Sequence, residues 1–145
     1  MKITIEELKD GEEEEIIVRT NTMDEQLLQL IYNVKMKSKR ITGTRQERLY
    51  VIAPKDIYYI ESVDNKVFIY TKDSVYESKQ KLYEFEEQFK NTEFFRASKS
   101  VILNRNKIKS LSPAFNGRLE ALLHNGEKVI ISRQYVAVLK RMLML

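Results

Sequence analysis

The sequence predicts a mostly β fold, α+β overall: antiparallel sheets of short hairpins with a few short helices, preceded by a strand–strand–helix extension. Three observations point there. Short β-rich segments follow one another from residue 40 onward, turn-forming groups separate several of them, and only three stretches carry apolar residues at helical spacing. The 145 residues set one compact domain, or one domain with an extension, as the expectation.

The elements follow in order. Ile3 and Ile5 alternate with polar residues, and Glu14 to Thr20 contains Ile16, Ile17 and Val18; both read as strands, with a turn at Asp10-Gly11 between them. Thr22-Met23-Asp24-Glu25 fits a capping box ahead of a helix near residues 23–37, whose stripe is Leu27, Leu30, Ile31 and Val34. The character changes near Lys39. Strands are expected at Arg40–Thr44, Arg48–Ala53, Asp56–Glu61, Lys66–Thr71 and Ser74–Ser78. A helix over Lys79–Phe89, with Ser78 as its N-cap, sets Leu82, Phe85 and Phe89 on one face. Strands resume at Val101–Asn104, Lys107–Leu111, Leu119–His124 and Lys128–Ser132. Asn125-Gly126 between the last two signals a type I′ hairpin. Ser132 caps a final helix, Arg133–Met144, with Val136, Leu139 and Leu143 toward the core. Residues 1–40 thus read as an extension and 41–145 as the β domain. The helix of the extension is too short to stand alone, so it needs a partner: the β domain, a second copy in a homodimer, or a regulatory protein docking on residues 1–40.

Composition narrows the chemistry. The chain has no cysteine and a single histidine, His124, which removes thiolate metal sites, disulfides and most imidazole catalysis. Its four glycines stand apart, so no phosphate-cradling loop exists. Glu84, Glu86 and Glu87 decorate the outer side of the second helix, and His124 flanks a turn; neither arrangement builds an acid–base pair. No cofactor or metal is expected. The longest apolar runs, Leu49–Ala53 and Tyr135–Leu139, have five residues, against roughly 18 for a membrane helix. No secretory signal is evident at the start. The expectation is a cytoplasmic, non-enzymatic protein without membrane insertion.

Charge supplies a positive clue. Residues 1–30 carry a net charge of −6, and from Arg96 to Arg141 ten basic residues face only Glu120 and Glu127. Such asymmetry suits an anionic partner for the C-terminal part. The stretch from Phe94 to Ile108 is the most informative. Phe94 and Phe95 read as anchors of a loop, with Arg96, Ser98, Lys99 and Ser100 at its tip, and Val101-Ile102-Leu103 as the buried strand that follows. Arg, Ser and Lys on a pinned loop suit phosphate and base-edge contacts.

Phe94 to Ile108, with Ile57-Tyr58-Tyr59-Ile60-Glu61-Ser62 upstream and Ile131-Ser132-Arg133-Gln134-Tyr135 downstream, resembles the LytTR DNA-binding domain. The resemblance covers about residues 43–145 and rests on the ordered set rather than on any single motif. It implies a mostly β assembly that contacts double-stranded DNA through loops entering successive major grooves. It also implies a freestanding transcription regulator of bacterial type, since about 40 preceding residues are too few for a receiver domain. By position, the implied DNA-contacting residues are Asn65 and Lys66 after the first strand; Arg96, Ser98, Lys99, Ser100 and Arg105 around the second; and Arg133 with Gln134 at the start of the last helix. Asp64, Ser132 and Tyr135 flank them. Asn104 reads as a structural turn cap. One departure stands out: many members carry a histidine where this chain has Ser98. An interaction module that keeps the fold without specific DNA binding is the alternative.

Overall fold

The computed structural model describes residues 2–38 and 40–145; Met1 and Lys39, where the sequence reading sets its change of character, lie outside them. Helix α1 spans Glu25–Ser38. Then come β1 (Ile41–Arg45), β2 (Arg48–Ile52), β3 (Tyr59–Val63), β4 (Lys66–Tyr70), β5 (Val75–Ser78), helix α2 (Leu82–Gln88), β6 (Phe94–Ser98) and β7 (Val101–Asn104). The chain ends with β8 (Ile108–Pro113), β9 (Leu119–Leu123), β10 (Lys128–Ile131) and helix α3 (Arg133–Met142). The strands form a seven-stranded sheet of order β2-β1-β5-β4-β3-β7-β6 and a three-stranded sheet of order β10-β9-β8. Their pairings are antiparallel. The mostly β, α+β class is what the hairpin pattern predicts.

Two cores fill the domain. The first joins Leu82, Phe85 and Phe89 of α2 to Ile41, Ile52, Ile60, Val67, Ile69, Phe94 and Ile102 of the large sheet. The second joins Phe95, Ala97, Val101 and Leu103 of β6 and β7 to Ala121, Leu123, Val129 and Ile131 of the small sheet and Leu139 of α3. Strands β6 and β7 therefore lie between the two cores; β7 buries both faces, while β6 keeps Arg96 and Ser98 half-exposed. All four residues of β7 are buried, and Phe94 enters one core while Phe95 enters the other. A strand buried on both faces has no polar alternation. Phe94–Ser98 reads as a loop in the sequence because Arg96 and Ser98 break its apolar run, although it is strand β6 and only Lys99 and Ser100 form the turn.

Local chemistry explains other differences. Lys81 stands at the N-cap of α2, and its backbone N–H donates to Glu84 Oε1 at 3.1 Å; Ser78 Oγ instead accepts from Gln80 N at 3.0 Å. The helix is correspondingly shorter than Lys79–Phe89. At Asn125-Gly126 only Gly126 has positive φ (89°), whereas a type I′ turn needs two such residues. Gly126 N donates to Leu123 O at 3.0 Å, closing a turn before the glycine, so the hairpin is wider than predicted. Two-residue hairpins with positive φ at both positions occur at Gln46-Glu47 (50° and 63°) and Asp64-Asn65 (50° and 64°). Gly43 answers a different need. A Cβ there would lie 2.6 Å from Tyr76 Cβ, so the close approach of β1 and β5 excludes any larger residue.

The extension departs most from expectation. Residues 2–24 contain the Asp10-Gly11 turn but neither predicted strand; Ile3, Ile5, Ile16 and Ile17 are exposed. A strand needs a pairing partner for its backbone groups, and none of the described strands provides one here. The Thr22 capping box also gives way. Asp24 caps α1, with Oδ1 accepting from Leu27 N at 2.8 Å, while the Thr20 and Thr22 polar groups bond each other. Of the predicted stripe, Leu27 and Ile31 are half-buried, while Leu30 and Val34 are exposed. Among the described residues, one side-chain bond, from Gln29 Nε2 to the Asn91 carbonyl, ties α1 to the domain.

Candidate functional site

Cations become informative once they are sorted by what holds them. Arg96 reaches from β6 to α2, where Nε donates to Glu86 Oε2 at 2.7 Å, and its Nη1 donates to the Lys99 carbonyl at 2.6 Å. Its side chain is only 18% exposed. This guanidinium braces the β6–β7 turn. Arg105, just past β7, donates from Nη1 to Met142 O at 3.0 Å and so caps the C-terminal end of α3. Lys66 lies 3.9 Å from Glu77, an exposed and weak pair. Lys107 sits over the Tyr58 ring at 5.0 Å. Among the described residues, no carboxylate pairs with Lys99, Arg118 or Arg133.

Two of those three converge. Lys99, at the β6–β7 turn, and Ser132, Arg133, Gln134 and Tyr135, at the start of α3, line one open depression of about 610 Å³. The fold fixes their spacing through the main chain. Ser132 N donates to Ala97 O at 2.7 Å, tying the helix start to β6. Ala97 itself is fully buried at a bulge, where the β6–β7 register shifts between Arg96 and Ser98. The turn is further set by Ser98 Oγ, which accepts from Ser100 N at 3.3 Å, and by Ser62 N, which donates to Ser100 O at 2.8 Å. Ser132 occupies the N-cap of α3 as predicted, but its hydroxyl makes no cap bond. The N-terminal N–H groups and dipole of a ten-residue helix thus face the same depression as Lys99 and Arg133.

The predicted set therefore divides. Lys99, Arg133 and Gln134 are exposed and meet at the depression. Ser98 and Ser100 shape the turn beneath them. Asn65 and Lys66 lie at the exposed tip of the β3–β4 hairpin, outside the depression, and the β3 strand of that hairpin is linked to the turn through Ser62. Arg105 is brought elsewhere: it follows β7 where Lys99 precedes it, and it contacts the end of α3 where Arg133 is the beginning. At 1.5 Å per residue a helix of that length separates its ends by about 15 Å. Asn104 is structural, as read: buried, it donates from Nδ2 to Ile57 O at 2.9 Å and accepts from Asn106 N at 3.0 Å.

Titration adds little to the depression. Burial, then the neighbouring Glu127, pushes the Tyr59 phenol well above its ordinary range; burial and Glu61 raise its stacking partner Tyr70. Both phenols stay protonated near neutrality. Among the described residues no cluster of His, Asp and Glu could hold a metal ion, and no helix is long and apolar enough to cross a membrane.

Two antiparallel sheets that present cations from a hairpin turn and a helix start define a β-rich domain of short hairpins and three helices. The LytTr DNA-binding domain matches residues 47–144, and the chain belongs to this LytTR family. The LytTr DNA-binding domain of a Bacillus cereus response regulator superposes with a TM-score of 0.69 at 24% identity, covering 73% of this chain and 97% of that one. The sensory transduction protein LytT of Enterococcus faecalis is 36% identical over 107 residues, which is 74% of this chain and 44% of the relative. The transcriptional regulatory protein YpdB of Escherichia coli is 32% identical over 83 residues, 57% of this chain and 34% of the relative. The chain thus spans less than half the length of these curated relatives.

Proposed function

We propose that this protein is a transcriptional regulator that binds specific double-stranded DNA sequences, with Lys99 and the Arg133–Gln134 helix start entering the major groove and the Asn65–Lys66 hairpin tip touching the adjacent backbone. The observation that carries the reading is the convergence of two unpaired cations and a helix N-terminus on one depression. Phosphates are held by such groups, and Arg133 and Gln134 are side chains suited to the edges of guanine and adenine. Arg96 serves this site by positioning: its bond to the Lys99 carbonyl holds the turn.

Selection of duplexes from a random pool with the purified protein, followed by binding titrations across salt, tests the proposal. The expected result is enrichment of a defined sequence and an affinity that falls steeply with salt. Lys99→Ala and Arg133→Ala should each weaken binding, lower the log–log salt slope by about 0.9 if a phosphate contact is lost, and move stability by less than about 0.5 kcal/mol. Arg105→Ala should leave the salt slope unchanged. No enrichment, or binding indifferent to salt, would overturn the reading.

A further inference from the structure

The β8–β9 hairpin ends in a tip, Phe115-Asn116-Gly117, that the sequence reading passed over. Phe115 is 78% exposed, the most exposed aromatic side chain among the described residues. The tip is not remote from the depression. Gly117 lies against the aliphatic stem of Arg133: a Cβ on Gly117 would stand 3.2 Å from Arg133 Cδ and 3.4 Å from its Cγ. The next residue, Arg118, is exposed; its Nε donates to Phe115 O at 3.0 Å, and among the described residues its outer guanidinium nitrogens meet no hydrogen-bond or ion-pair partner. The local charge is uniform. From Phe94 to Leu119 the chain has six basic residues and no carboxylate.

We infer that the β8–β9 tip is a further DNA-contacting element, in which Phe115 packs on the sugar and base edges beside the segment held by Arg133 while Arg118 bonds a phosphate. This rests on the DNA-binding reading above and adds residues to it. A lone exposed aromatic on a protein surface is ordinary. This one differs because it stands two residues from the glycine that supports Arg133 and three from an unpaired guanidinium. Apolar contact with thymine methyls or base steps, combined with a neighbouring cation on phosphate, is a recurrent way of reading and gripping a duplex. The tip carries no carboxylate to repel one.

The test uses the full chain and the duplex it enriches from a random pool. Phe115→Ala should weaken binding about tenfold with an unchanged salt slope, because no charge is removed, and Phe115→Tyr should restore most of it. Arg118→Gln should lower the log–log slope by about 0.9. The wild-type footprint should extend beyond that of Phe115→Ala at one end of the site. Phe115 is exposed, so melting of the variants should match the wild type and separate lost contact from lost fold. If Phe115→Ala and Arg118→Gln bind like the wild type while Lys99→Ala and Arg133→Ala are weakened, the tip has no such role and the DNA-binding reading stands. If the wild type enriches no duplex, both fall together.

Discussion

Isoleucines at the two ends of the chain meet opposite fates. In the extension Ile3, Ile5, Ile16 and Ile17 are 82%, 91%, 70% and 65% exposed, while in the domain Ile41, Ile57, Ile60, Ile69 and Ile131 are all 0% exposed. Both regions show apolar residues in strand-like runs. The difference is not the residues but what lies beside them. In the domain each strand finds a hydrogen-bonding neighbour and a core below it; the segment 2–24 finds neither. A β pattern states that a segment is able to join a sheet, and the rest of the chain decides whether a sheet is there to join.

This contrast can be broken or sharpened by substitution. The largest effect is expected from Phe85→Ala, which empties the centre of the α2 core and should cost about 3–5 kcal/mol in chemical denaturation. Ile16→Ala in the extension, measured alongside it, should change stability by less than about 0.5 kcal/mol; a comparable loss would show that the extension is packed in solution. Next, Asn104→Ala should cost about 1–3 kcal/mol, because it strands the buried Ile57 carbonyl and the Asn106 N–H. A loss well below this, with unchanged DNA affinity, would mean that water fills the gap. Glu47→Gly relieves a left-handed residue in the β1–β2 hairpin and should raise stability by about 0.5–1 kcal/mol. Asp24→Ala removes the α1 cap and should lower helicity by a similar local amount without moving the melting of the domain. A shift in the global melting would show that α1 and the domain unfold together.

A pH series gives the finest distinction. Tyr59 and Tyr70 have phenol pKa values raised above the ordinary 10.0 in the folded domain. The folded state holds their protons more tightly than the unfolded chain. Their stabilisation is therefore complete below pH 10 and is lost as pH rises through the folded values. Melting should be flat near neutrality and fall in strong alkali, and Tyr59→Phe should soften that fall.

The sequence disclosed strands wherever an apolar run stands unbroken between polar or turn-forming residues, including the fully buried Val101–Asn104. Arg48–Ile52, Lys66–Tyr70 and Lys128–Ile131 are short β-rich runs that open on a cation, and their limits were read to within a residue. It concealed β6, because Arg96 and Ser98 interrupt its apolar residues and give Phe94–Ser98 the look of a polar loop. It also concealed the β1–β2 turn, because Gln46 and Glu47 carry none of the usual turn chemistry. At the candidate site, Lys99, Arg133 and Gln134 were legible as cations and amides at exposed ends. The roles of Arg96 and Arg105 were not, because their partners, Glu86 and the Met142 carbonyl, are 10 and 37 residues away in the chain. The resemblance placed every residue in order, and only the geometry separated those that face outward from those that hold the frame. Phe115 was missed because nothing before folding connects it to Arg133.

The link between Ser132 N and Ala97 O has an evolutionary consequence. It joins backbone to backbone, and Ala97 lends the core no more than a methyl group. The interval between the turn and the helix start is thus held by the main chain and by the Arg96 and Ser98 side chains, not by Lys99, Arg133 or Gln134. Exchanging the side chains of Lys99, Arg133 or Gln134 in the course of evolution would leave that frame intact, whereas Ser98, whose hydroxyl accepts from Ser100 N, belongs to it.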